Sequence, residues 1–263
     1  MYEIKKGNLR FFSRHQALNQ DAYNMASMIT APKVLNLKIN IYVGIHKFRK
    51  KYLKKSGYHL GVQTEQLYDE FGNQMWRKQR KYRLLRDLMI YDRILDFSDH
   101  NKLSYQWLLK RFQSKIDFGP YIFPKKTIDI SPFSKEKYIF YGSLNAHRNE
   151  IIEKIGHNLI KIVKTDTYGK ELSEKIFDHK AVLNIHYKEG IYTEWPRVLS
   201  AYLHGKVVVS EKLSSILEPG TDYILINDIL KKNNYEKIFN NFNNKIIKNY
   251  AIEDYLFSKF GNI

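Results

Sequence analysis

Between residues 137 and 226 the chain alternates between short apolar runs and longer amphipathic stretches. The apolar runs are KYIFYGS (137–143), NLIKIVK (158–164), AVLNI (181–185), KVVVS (206–210) and DYILI (222–226). Between the first four lie HRNEIIEKIG (147–156), YGKELSEKIFDH (168–179) and TEWPRVLSAYLHG (193–205). A short continuous apolar run fits a strand buried on both faces, whereas apolar spacings of three and four fit a helix with one covered face. Strands that each feed a helix before the next strand form βαβ units, and these assemble into a parallel sheet. Residues 137–263 are therefore read as a Rossmann-like domain with C-terminal helices.

The first half is less regular. LKINIYVGI (37–45) and YDRILDFS (91–98) read as strands, residues 46–55, 75–90 and 102–114 as helices, and 1–35 as helix and loop. Three of the six prolines fall in IDFGPYIFPKKTIDISPFSKE (116–136), a break between the two halves. Proline there punctuates the chain, and the expected organisation is a small α/β domain over 1–120, a linker over 121–136 and the Rossmann-like domain.

Composition narrows the chemistry. The 263 residues are 43% hydrophobic and include no cysteine. That supports a packed core and excludes a disulfide scaffold, a thiolate zinc site and a cysteine nucleophile. MYEIKKGNLRFFSRHQ lacks the apolar stretch of a signal peptide, and no apolar run approaches the ~20 residues of a membrane span, so a cytoplasmic protein is expected. The formal charge is +17, and HKFRKKYLKK (46–55) and MWRKQRKYRLLR (75–86) hold six Lys/Arg each with no acid. Such runs bind nucleic acid, anionic membranes or phosphorylated substrates, and they are equally the solvated faces of a lysine-rich protein.

In an open parallel sheet, ligands gather beyond the carboxyl ends of the strands. Three stretches belong there. In YGSLNAHR (141–148), Gly142 allows close backbone approach, Ser143 caps or donates, and Arg148 lies in the first turn of a helix whose unpaired N–H groups suit a phosphate. Gly-Ser after a strand is also an ordinary turn. In NIHYKEGIYTEWPR (184–197), His186 and Tyr187 follow a strand directly, then come Glu189 and Gly190, and Pro196 suits a helix start. His186 is equally a satisfied structural histidine, and Glu194 equally a cap that complements the helix dipole. Glu211, after KVVVS, is placed to accept hydrogen bonds from ribose hydroxyls or to cap a helix.

The order YGS…R, then LNIH-Y-x-E-G, then E-x-P-R-V-L-x-A-x-x-x-G-K-V-V-V-S-E resembles the donor-binding half of GT-B glycosyltransferases. It is most similar to the "group 1" enzymes of bacterial surface-polysaccharide synthesis, over about residues 137–230. VGIHKF (43–48), GVQTEQLYD (61–69), YDRILDFSDHN (91–101) and FGPYIFP (118–124) resemble their acceptor-side half more weakly. The resemblance implies an α/β protein of two Rossmann-like domains facing a cleft, the N-terminal one abbreviated. It implies that Gly142, Ser143 and Arg148 meet the diphosphate, that His186, Tyr187, Glu189 and Gly190 line sugar and phosphate, and that Glu194 and Arg197 face the donor. Many such enzymes carry a second glutamate where this chain has Ser200, and Glu211 is the candidate replacement.

Sugar transfer needs the charge of the leaving phosphate neutralised and an acceptor hydroxyl activated. Arg148, Arg197 and a helix N-terminus meet the first need without a metal, and Asp-x-Asp is absent from the chain. For the second, Glu65 in QTEQ and His46 are candidates, each with a bland alternative as a positioning or solvated group. Glu65, His186 and Glu189 are the candidate catalytic groups, with His46, Gln66 and Trp76 on the acceptor or membrane side. No cofactor is expected. The expected partners are a nucleotide sugar, a glycan or lipid-linked acceptor and an anionic membrane surface, where each Lys/Arg contributes ~1 kcal/mol. The rival readings are a basic nucleic-acid binder, which the acids at the ligand edge oppose, and a non-catalytic sugar-nucleotide binder. NAD use lacks its G-x-G-x-x-G.

Overall fold

The computed structural model describes residues 1–30, 37–49, 53–54, 56–75, 81–190 and 193–261. The chain forms two compact units, Met1–Lys125 with Lys248–Ile263, and Lys126–Ile247.

The first unit opens on a hairpin, β1 (Tyr2–Lys6) and β2 (Leu9–Ser13), where the sequence pattern led to helix and loop. β1 is an edge strand with most residues exposed, so YEIKK carries no apolar signature, while the LRFFS of β2 is buried almost throughout. Helix α1 (Gln16–Ser27) leads to β3 (Ile39–Val43) and then β4 (Tyr58–Gln63). The helix expected over 46–55 is absent from its described residues beyond one 3-10 turn, Ile45–Lys47. Tertiary ties override helix propensity there: the Lys54 N–H donates to the buried Tyr42 hydroxyl (2.9 Å), and Lys54 Nζ lies 5.3 Å from the Phe12 ring centre.

Helix α2 (Lys81–Ile90) and β5 (Arg93–Asp96) follow. The expected helix over 102–114 is two short pieces, α3 (Lys102–Tyr105) and α4 (Lys110–Gln113). Leu108 is buried between them and the Trp107 indole donates to the Ser104 carbonyl (2.9 Å). β6 (Ile116–Phe118) pairs in parallel with β5, so the proline-rich break begins as a strand of the first sheet. That sheet runs β1-β2-β3-β4-β5-β6, parallel from β2 onward.

The second unit follows the predicted alternation closely. It comprises β7 (Lys135–Tyr141), α5 (Ala146–Ile155), β8 (Ile160–Val163), α6 (Gly169–Asp178), β9 (His179–Asn184), α7 (Trp195–Leu203), β10 (Val207–Ser210) and β11 (Ile224–Leu225). Helix α8 (Tyr235–Tyr250) begins in this unit. The sheet is wholly parallel in the order β11-β10-β9-β7-β8. Ile139, Phe140, Val182 and Leu183 are fully buried, each worth about 1.5–3 kcal/mol of burial. The chain departs from β7 to one side and from β9 to the other, which makes the β7/β9 boundary the topological switch point.

Helix α9 (Ile252–Phe260), which the sequence places with the second domain, packs in the first unit. Asp117, at the middle of β6, accepts from Arg93 Nη1 (2.9 Å), Tyr255 hydroxyl (3.0 Å) and Lys259 Nζ (2.6 Å). Among the described residues no helix is long and apolar enough to cross a membrane.

Candidate functional site

At the carboxyl end of β7 the chain turns through Gly142 (φ 127°) into α5. Asn145, and not Ser143, caps that helix, its Oδ1 accepting from the Arg148 N–H (2.9 Å). The same side chain donates through Nδ2 to the Tyr187 carbonyl (2.7 Å), tying the start of α5 to the loop after β9. Ser143 is exposed and its carbonyl accepts from Arg148 Nη1 (2.7 Å).

Arg148 and Arg197 are both buried, 3% and 7% exposed. Arg148 spans the switch point, with Nε donating to the Ile185 and His186 carbonyls (3.1 and 3.2 Å). Arg197 donates through Nη1 to Asn184 Oδ1 and through Nη2 to the Tyr141 carbonyl (3.0 Å each). Glu194 joins them: Oε1 meets Arg148 Nη2 at 2.5 Å and Oε2 meets Arg197 Nη2 at 2.6 Å. Its carboxylate makes no capping bond to α7, contrary to one sequence reading. Phe140 lies 5.4 Å from each guanidinium, and the Tyr187 ring 5.5 Å from that of Arg148. Arg197 Nε is buried without a hydrogen-bond acceptor among the described residues. Two desolvated guanidiniums against one carboxylate leave a unit of positive charge, the polarity a phosphate requires.

His186 is fully buried. Its Nδ1 lies 2.6 Å from the Gly190 carbonyl, an acceptor only, so Nδ1 carries the proton. Burial pulls its pKa below the usual imidazole value, against the opposing pull of Glu211 and of that carbonyl, and the ring is held neutral. Glu211 reaches the same loop: Oε2 accepts from the His186 N–H (2.7 Å) and Oε1 lies 2.9 Å from His147 Nε2. It is thus already bonded within the fold, whereas Glu189 stands exposed in the bend over 187–190. Ser200 is buried in α7 and its carbonyl accepts from His204 Nδ1 (2.6 Å).

Gly142, Ser143, Arg148, His186, Tyr187, Gly190, Glu194, Arg197 and Glu211 therefore converge on one sheet edge. His147, Asn145 and Asn184 share that network although the sequence singled out none of them for a role. Asn184 was the most legible, a polar residue ending an apolar strand.

In the first unit, His46 and Glu65 follow β3 and β4, with His46 Nε2 3.6 Å from Glu65 Oε1. Gln66 is buried and donates to the Tyr68 carbonyl (2.8 Å), bracing its own loop. Trp76 lies outside the described residues.

No protein-family model and no curated protein sequence matches the chain. Solved structures do match. A TarM mutant from S. aureus, in complex with fondaparinux, alpha-GlcNAc-glycerol and UDP, superposes with a TM-score of 0.55 at 16% identity. The match covers 85% of this chain and 54% of TarM. A second TarM structure gives a TM-score of 0.51 at 17% identity over the same shares, 85% and 54%. The chain has the GT-B glycosyltransferase fold. It spans about half the length of TarM, with two mixed α/β units of largely parallel strands. The GT-B resemblance read from residues 137–230 and the fold agree.

Proposed function

We propose that the protein is a glycosyltransferase that moves a sugar from a nucleotide-sugar donor to a glycan or lipid-linked acceptor of a bacterial surface polysaccharide, without a metal ion. The observation that carries this reading is the buried Arg148–Glu194–Arg197 cluster at the switch point of a GT-B sheet. The donor diphosphate lies against these guanidiniums and the N-terminus of α5, where Gly142 and Ser143 bring the backbone close. Tyr187, Glu189 and Gly190 line the sugar beside neutral His186. Glu211 takes the ribose hydroxyls once they displace His147. An acceptor oxygen attacks the anomeric carbon as the bond to the distal phosphate oxygen breaks. The electron pair leaves with the nucleoside diphosphate, whose charge the arginines stabilise, and the acceptor hydroxyl gives its proton to a general base, for which Glu65 and His46 are the candidates read from the sequence.

TarM was solved with UDP, so uridine nucleotides head the test panel. Melting temperature is measured against UDP, GDP, CMP, ADP, NAD and single-stranded DNA. Saturation at 100 times Kd adds about 2.7 kcal/mol. A shift with one nucleotide, lost in Arg197→Ala and Glu211→Ala and followed by turnover of the matching sugar nucleotide, is expected. A shift with DNA alone, abolished by salt, refutes the reading. Contact of the basic runs with an anionic membrane surface belongs to the same proposal, and equal sedimentation with neutral and anionic vesicles removes it.

A further inference from the structure

β4 and β5 end together, Gln63 opposite Asp96, and beyond that last pair the backbone ladder stops. One side chain takes over. Asn101 is fully buried at the end of a 3-10 turn, Asp99–Asn101. Its Oδ1 accepts from the Leu67 N–H (2.6 Å), and its Nδ2 donates both to the Glu65 carbonyl and to Asp96 Oδ1 (2.8 Å each). Both amide hydrogens and the amide oxygen are thereby used. Asp96, fully buried, is itself held by the Ser98 N–H and the Tyr105 hydroxyl (3.0 Å each). From the other side, the Glu65 N–H donates to Gln63 Oε1 (3.2 Å).

The backbone of Glu65 is thus gripped at its N–H by Gln63 and at its carbonyl by Asn101, while its carboxylate meets His46. Only an amide of this length supplies two donors and one acceptor at these positions. Aspartate would set a second carboxylate against Asp96, and an aliphatic residue would remove a partner from the Leu67 N–H, the Glu65 carbonyl and Asp96 alike.

We infer that Asn101, anchored on Asp96, is a positioning residue that fixes Glu65 against His46, and through that pair sets the activation of the acceptor hydroxyl. This rests on the acceptor-side reading above.

The test uses the full chain and the ring resonances of His46, assigned by loss in His46→Gln. Glu65→Gln moves those resonances. Asn101→Ala and the milder Asn101→Ser move them in the same direction, and Asn101→Ala with Glu65→Gln moves them no further than Glu65→Gln alone. In transfer with the donor found in the panel, Asn101→Ser lowers kcat about tenfold or more and leaves donor KM unchanged. A folded Asn101→Ser protein with His46 resonances in the wild-type position overturns the inference, as does a Glu65→Gln protein in which they do not move. If they move as expected but no nucleotide raises the melting temperature, the positioning role stands and the donor reading falls. If nucleotides bind but His46 is unmoved, the reverse holds.

Discussion

Gly142 sits directly beneath the guanidinium of Arg197: a Cβ built on it would stand 2.9 Å from Nη2, at a backbone φ of 127°. Steric room and backbone freedom are both needed at this one position, because the guanidinium must close over the turn to reach the Tyr141 carbonyl.

Gly142→Ala is therefore expected to cost about 1–3 kcal/mol in folding stability from backbone strain. It also pushes Arg197 off its acceptors. Denaturant unfolding measures the first effect, and nucleotide affinity, weakened beyond what stability explains, measures the second. An alanine variant with wild-type affinity would show that the turn and the arginine are independent.

Glu194→Gln removes the single carboxylate between two buried guanidiniums. Breaking a buried ion pair costs about 3–5 kcal/mol. The Glu194 side chain is 20% accessible, so the loss should fall at the lower end of that range. A bound diphosphate supplies the missing negative charge, so the nucleotide-induced rise in Tm should be larger in Glu194→Gln than in wild type. An equal or smaller rise would place the phosphates away from this cluster.

Two buried groups bend stability in opposite directions with pH. The folded pKa of His186 lies below its ordinary 6.5, so its contribution is present above that value and is lost as pH falls, when the unfolded chain binds the proton more readily. His186→Asn should flatten that acid limb. Burial pushes Asp96 from 3.8 up to about 7, against hydrogen bonds from Ser98, Asn101 and Tyr105 that favour its ionised form. The folded state then holds the proton longer than the unfolded one, so stability declines as pH rises from 3.8 to about 7. Asp96→Asn should remove that decline. Urea unfolding at pH 4 to 8 separates the two, and parallel curves for variant and parent would contradict the assignments.

Asp117→Ala should loosen the last helix. Arg93 and Lys259 keep 28% and 30% of their side chains accessible and can turn to water, but Tyr255 is buried and loses its acceptor. An unpaired buried hydroxyl costs about 1–3 kcal/mol. Limited proteolysis should then release a C-terminal fragment faster than in wild type. Unchanged cleavage would mean that the apolar packing of α9 suffices without Asp117.

The second unit was legible because its strands are buried on both faces and its helices on one, so hydrophobic periodicity alone marks each element from β7 to β10. The strand-end position of Gly142, Arg148, His186, Arg197 and Glu211 followed from the same alternation, since a parallel sheet delivers every strand end to one edge. The exposed edge strand β1, the lack of an α-helix among the described residues of 46–55 and the division of 102–114 were not legible. β1 is an exposed edge and so carries no apolar pattern, and Lys54 is held by Tyr42 and Phe12 in contacts that outweigh local propensity. Sequence determined the parallel architecture and which residues reach the carboxyl-end edge of the second sheet. Tertiary structure alone decided their partners: that Glu194 bridges two arginines instead of capping a helix, that Asn145 caps α5 in place of Ser143, that α9 returns to the first unit, and that Asn101 holds Glu65. Hydrophobic pattern records burial, which is local and periodic, whereas hydrogen-bond pairing depends on distances between segments that only the folded chain brings together.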